Sequence, residues 1–207
     1  MADPDAPLLE LVGIFERLRR ECAWKAAQTH QSLTRYLIEE AYEAVEAADA
    51  GDLEALRDEL GDVLLQVYLH AAIAAESGDF DIDDVAIGLR DKMIRRNPHV
   101  FGDAPAGDAE SINEAWQRIK AAENPDRALL DGVPASLPAL LRADKLVDRA
   151  ERAGEPVTVD AGSTDLGERL LALVVEAHSA GVDPEQALRA AVHRRTVRPQ
   201  GNAPKPW

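Results

Sequence analysis

Two short acidic patterns stand close together in the chain: Glu39-Glu40-Ala41-Tyr42-Glu43 and Glu59-Leu60-Gly61-Asp62. At 3.6 residues per turn, Glu40 and Glu43 are neighbours on one helix face, as are Glu59 and Asp62. Antiparallel packing of two such helices through a short turn would gather these four carboxylates. A cluster of carboxylate oxygens suits a hard cation such as Mg²⁺, with Mn²⁺ as a substitute. A di-iron bundle would use Glu-x-x-His pairs instead. Here the position three after the relevant acids is Glu or Asp, and His70 lies two turns beyond Asp62, so Mg²⁺ is favoured over iron.

Helices must position these groups, and nearly every periodic stretch reads as helix. Residues 7–22 repeat apolar positions every three or four, and a second helix is expected from Ser32 to Asp49. Gly51-Asp52 forms a turn, with Asp52 capping a third helix over 53–77 that Gly78 ends. Asp81 or Asp83 caps a fourth helix stopping before Asn97-Pro98, and a fifth covers Ser111 to Glu123, closed by Pro125. Residues 154–164 have linker composition, and the tail 197–207 is rich in Pro and polar residues, which predicts disorder.

The plainest alternative for the acids is a solvated helix face. Against it, no residue from Val63 to Ala75 carries a formal charge, and a helix apolar all round is buried. Glu59 and Asp62 would then enter a core-bound segment, where unpaired carboxylates are strongly disfavoured. A metal resolves that conflict; so would an ion pair, with Arg57 as the local candidate.

Bulk properties narrow the function. The chain is 207 residues long and 46% hydrophobic but only 4% aromatic, which suits packed helices over a sheet. A net charge of −15 argues against a nucleic-acid polymer as partner, because such binding needs a positive footprint. A single nucleotide remains compatible once metal offsets the carboxylates. Cys22 is the sole cysteine, so no intramolecular disulfide forms. Neither a signal-peptide pattern nor a membrane-spanning apolar run is present, and a cytoplasmic location without membrane contact is expected.

EExxE, fifteen intervening residues and ExxD with an LGD core together resemble the MazG family of all-α nucleotide pyrophosphohydrolases. Flanking signals follow in order: Cys22-Ala23-Trp24 with Gln28-Thr29-His30, Phe80-Asp81, Arg95 through Phe101, and Trp116 with Ile119-Lys120. The match covers roughly residues 8–123, and its combination is far more specific than any one piece. The resemblance implies an all-α fold with a four-helix core completed by homodimerisation, with dimers able to pair into tetramers. It also implies hydrolysis of (deoxy)nucleoside triphosphates between the α and β phosphates, a house-cleaning task for the nucleotide pool.

Carried over by motif, Glu40, Glu43, Glu59 and Asp62 would be Mg²⁺ ligands, with Glu39 or Glu43 as the catalytic carboxylate. Lys92, Arg95 and Arg96 could hold phosphates, although the same charges also suit a helix C-terminus. Trp116 and Lys120, one turn apart, suit a base and a phosphate, and Trp24 and Gln28 are further base contacts. The first signal departs from the family's CPWD: Ala23 replaces the proline and Lys25 the acid, which alters base or phosphate contacts there.

Larger family members carry two complete domains. Residues 165–173 (DLGERLLAL) echo 59–67 (ELGDVLLQV), and 137–153 echo the first helix, but no second EExxE exists. The chain therefore divides into a catalytic domain, 1–125, a shortened and degenerate second repeat, 126–196, that does not catalyse, and the tail. Two competing functions remain at this point: a non-catalytic helical dimer binding nucleotides or protein, and an enzyme narrowed to dUTP, dCTP or a damaged nucleotide.

Overall fold

The computed structural model describes residues 6–124 and 128–196. Ten α-helices and no strand occur among the described residues, so the fold is all-α as expected. The chain forms two compact units, Met1–Lys120 and Ala121–Trp207.

In the first unit α1 (Pro7–Glu21) leads through the single turn α2 (Ala23–Ala26) to α3 (His30–Ala50) and α4 (Leu53–Ser77). Thr29 and Ser32 form a reciprocal cap that starts α3. Gly51, at φ 70°, ends it in the left-handed conformation that glycine adopts without a Cβ penalty. Asp52 then accepts from Glu54 N and Ala55 N at 3.1 and 3.0 Å and opens α4. This tight αL-then-cap reversal makes α3 and α4 antiparallel. Leu33 and Leu69 meet in one core cluster with Phe15 and Tyr68. Phe15 stacks on Tyr68 with centroids 5.6 Å apart, and Tyr68 Oη donates to Leu8 O at 2.7 Å. Burying each such large side chain is worth about 1.5–3 kcal/mol. Following α4 are α5 (Ile82–Arg96), capped reciprocally by Asp81 and Asp84, the single turn α6 (Pro98–Phe101) and α7 (Ala109–Ala122).

One expectation needs correction. The uncharged stretch of α4 is buried as expected, with Gln66, Tyr68, Leu69, Ala71 and Ala74 buried and the rest of 63–74 half-buried, but the burial does not reach back to the acids: Leu60 is 54% exposed. The cause is geometric. Contacts from α1 fall on the Tyr68 end of α4, while the half carrying Glu59 and Asp62 faces α3. Asp62 is accordingly exposed, while Glu59 is partly buried.

The second unit packs α8 (Ala139–Arg152) on α9 (Leu166–Ser179), with Val147, Ala150 and Val174 buried, and adds α10 (Pro184–Thr196). Residues 154–164 form no helix, in keeping with their linker composition. Asp165 is the N-cap of α9 and accepts from Glu168 N at 3.1 Å. The first acid of the DLGE echo thus caps a helix, whereas Glu59 stands inside one. The expected tail, 197–207, lies outside the described residues. Among the described residues no helix is long and apolar enough to cross a membrane.

Candidate active site

The antiparallel α3–α4 pair brings Glu40, Glu43 and Glu59 together, each offering an oxygen within 4.8 Å of the others. Glu40 and Glu59 are partly buried and Glu43 is exposed. Asp62 is near enough for its charge to act on both Glu40 and Glu59. Partial burial, followed by the charges of Asp62, Glu43, Glu39 and Glu59, raises the Glu40 carboxyl above its ordinary pKa. Burial, the charges of Glu43 and Asp62 and the close approach of the Glu43 side chain raise Glu59 likewise. The cluster is therefore short of positive charge.

Arg57, the local candidate for neutralising it, pairs instead with its neighbour Asp58 at 2.8 Å. Gln66 adds a second sign. It lies one turn beyond Asp62 on the face of α4 that carries Glu59, is only 4% exposed, and its Oε1 has no hydrogen-bond partner. An oxygen-only donor set beside an orphaned buried amide oxygen fits a hydrated hard cation such as Mg²⁺. These residues fit the metal.

The other expected site residues gather in two further groups. On α5 and α7, the Arg96 guanidinium and the Lys120 ammonium each lie 5.1 Å from the centre of the Trp116 ring. Lys92 and Arg95 are exposed on α5, Arg95 in its last turn. The second group surrounds α2. Trp24 meets Tyr36 edge-on with centroids 6.0 Å apart, and Lys25 Nζ lies 4.9 Å from the Trp24 ring centre. Tyr36 precedes Glu40 by one helical turn, so this aromatic pair shares the face of α3 that carries the acids. Gln28 turns inward: its Nε2 donates to Trp24 O at 3.0 Å and its Oε1 accepts from Ser32 Oγ at 2.8 Å.

Sequence reasoning missed Tyr36 and its companion Arg35, whose guanidinium lies 4.3 Å from the Tyr36 ring centre. The one-turn spacing from Tyr36 to Glu40 was the signal available. It also missed the His30–His70 pair, stacked with Nδ1 atoms 2.8 Å apart, which links the start of α3 to α4.

The MazG nucleotide pyrophosphohydrolase domain matches residues 28–101, the span that holds both acidic patterns. The chain is 49% identical to an uncharacterized 26.1 kDa protein of Streptomyces cacaoi, over 92% of this chain and 80% of that one. It is 37% identical to the nucleoside triphosphate pyrophosphohydrolase/pyrophosphatase MazG of Thermotoga maritima, over 89% of this chain and 81% of the relative. With the nucleoside triphosphate pyrophosphohydrolase of Escherichia coli K12 the identity is 38%, over 84% of this chain and 68% of the relative. An all-α chain whose paired helices gather the acids, and which aligns along most of the length of such relatives, belongs to the MazG family of nucleotide pyrophosphohydrolases.

Proposed function

We propose that the protein hydrolyses nucleoside and deoxynucleoside triphosphates to the monophosphate and pyrophosphate, using Mg²⁺, with Mn²⁺ as a substitute. The observation that carries this reading is the convergence of Glu40, Glu43 and Glu59 within 4.8 Å, while Arg57, the local cation, pairs with Asp58. Glu40, Glu43, Glu59 and Asp62 would hold the metal, which supplies charge neutralisation on the triphosphate and orientation of a water. Glu39, exposed and adjacent to Glu40, takes the proton from that water, with Glu43 the other carboxylate in reach of the role. Water adds across the α–β phosphoanhydride bond: its oxygen goes to one phosphoryl group and the other leaves with the bridging oxygen.

Lys92, Arg95, Arg96 and Lys120 supply positive charge for the phosphates that the metal leaves exposed. Trp116 offers a face for the base, a reading supported by the cations of Arg96 and Lys120 that lie 5.1 Å from its ring centre. Trp24, with Gln28 behind it, borders the α3 face at the base end. The second unit takes no part in the chemistry, since Asp165 serves as a cap and no second EExxE accompanies it. The relatives' activity and the charge of −15 favour free nucleotides over polymers, and the biological task that follows is removal of unwanted nucleotides from the pool.

Incubation with all eight (d)NTPs and Mg²⁺, with pyrophosphate and orthophosphate measured separately, tests the proposal. Pyrophosphate from the wild type and at least ~10²-fold less from Glu43→Ala is expected, since even outer groups around a metal are worth 10–100-fold. Orthophosphate as the product, or equal rates from the variant, would overturn it. Hydrolysis of dUTP or dCTP alone would narrow the substrate without changing the chemistry.

A further inference from the structure

Arg19 on α1 makes more connections than any charged residue of the acidic site. Its Nε and Nη2 donate to Glu76 Oε1 and Oε2 at 2.6 and 2.7 Å, a bidentate pair with the last turn of α4. Its remaining terminal nitrogen, Nη1, donates to the carbonyls of Lys25 and Gln28, the latter at 3.1 Å. The side chain is only 8% exposed, while that of Glu76 is half exposed. The Lys25 carbonyl belongs to the end of α2, and the Gln28 carbonyl to the segment joining α2 to α3. A planar guanidinium can serve both a carboxylate and two carbonyls at once; an ammonium cannot reproduce that fork.

The segment so held is the one that carries Trp24 and Gln28. Gln28 passes the constraint on, because its side chain bonds both Trp24 O and Ser32 Oγ. A route of hydrogen bonds thus runs from Glu76 through Arg19 and Gln28 to the backbone of Trp24. Trp24 itself is half exposed and rests on Tyr36 alone among aromatic neighbours in the described residues. Single-turn α2 has no buried residue to anchor it. Without the Arg19 contacts, α2 would have little to fix its place against α3.

We propose that Arg19, locked by Glu76, is a positioning residue that sets Trp24 at the base end of the substrate. The inference rests on the reading of the site as a nucleotide hydrolase. Because the role read for Trp24 is at the base and not at the reacting phosphate, loss of its placement weakens binding of substrate and transition state alike, which raises KM and leaves kcat unchanged.

The test uses the full chain and the variants Arg19→Lys, Glu76→Gln and Trp24→Ala. Each is expected to raise KM for the best nucleotide about three- to tenfold with kcat within about twofold. Inhibition by inorganic tripolyphosphate, which has no base, should stay at the wild-type value. Arg19→Lys combined with Trp24→Ala should cost no more than either alone, because both changes remove one interaction. Equal weakening of nucleotide and tripolyphosphate, or an additive double variant, would overturn the proposal and leave Arg19 a fold-stabilising residue. If the wild type releases no pyrophosphate, the hydrolase reading fails separately. Arg19 is then decided by Trp24 emission in a Trp116→Phe, Trp207→Phe background. A shift on Arg19→Lys or Glu76→Gln supports positioning, and an unchanged spectrum sinks it.

Discussion

Burial and the neighbouring acids raise the carboxyls of Glu40 and Glu59, so a divalent cation in the same cage would compete with protons for them. Calorimetric titration of Mg²⁺ in two buffers of different ionisation heat should therefore show proton release, with affinity falling as pH falls. A buffer-independent heat would argue that the cation binds elsewhere. The raised pKa values of Glu40 and Glu59 carry a stability consequence whose sign is definite. The folded metal-free state binds their protons more tightly than the unfolded chain does. Stability from these groups therefore grows as pH falls from above the raised values toward the ordinary 4.5, and is lowest at neutral pH. Glu40→Gln should raise the melting temperature of the metal-free protein at neutral pH while cutting activity at least ~10²-fold. A lowered melting temperature would mean that Glu40 is held by attraction. The acids were legible because helical spacing alone places them on one face. Arg57 and Gln28 were less legible, since a flexible side chain chooses among nearby partners: Arg57 took Asp58, and Gln28 turned toward Trp24 and Ser32.

Helices with strong local punctuation were readable to within a residue or two. Asp52 and Gly78 bound α4 as their types require, and Asp81 caps α5. α2 and α6 were not foreseen, because a single turn has no hydrophobic period and owes its existence to tertiary contacts such as those from Arg19. The uncharged stretch of α4 does lie deep, but where its burial begins was beyond the local pattern, since Leu60 and Asp62 just ahead of it are exposed. In the second unit, His178 on α9 joins two acids of α8: its Nδ1 is 2.9 Å from Asp144 and its Nε2 3.1 Å from Glu151. The hydrogen bond to Asp144, then that acid's charge and the Glu151 contact, outweigh burial and raise its pKa above 6.5. A base whose folded pKa is raised stabilises fully below its unfolded value and loses that contribution as pH rises through the folded one. The α8–α9 contact should thus be firmest below pH 6.5 and loosen above the shifted pKa, seen as faster amide exchange in α9. His178→Gln should abolish that pH dependence; a surviving dependence would assign it to another group. His70, lowered by burial and by the charge of His30, acts with the opposite sign, so it weakens the first unit as pH falls below 6.5.

At the scale of the molecule, the first unit leaves several large apolar side chains exposed. Ile38 is 58% exposed on α3, Leu60 stands beside the acids on α4, and Ile87, Leu89 and Ile94 are exposed on α5. Such side chains would form an association surface if they lie together, and a standard interface hides about 800 Å² per partner. A second copy of the chain covering these helices would complete the four-helix core and exclude water from the open half of α4. Charge then sets how the pair responds to salt. Each chain carries −15, so two copies repel at long range, and that repulsion is screened over about 10 Å at 0.1 M salt. An apolar dimer of this protein should consequently tighten as salt rises, whereas one held by ion pairs would loosen. Sedimentation velocity across a salt series decides between them. Ile38→Glu and Leu89→Glu should each shift the protein toward monomer, and pyrophosphate release should fall with the dimer fraction if the partner's helices shield the metal cage. A chain that is monomeric at every salt concentration, and whose activity is untouched by either substitution, would show that these faces serve something other than self-association.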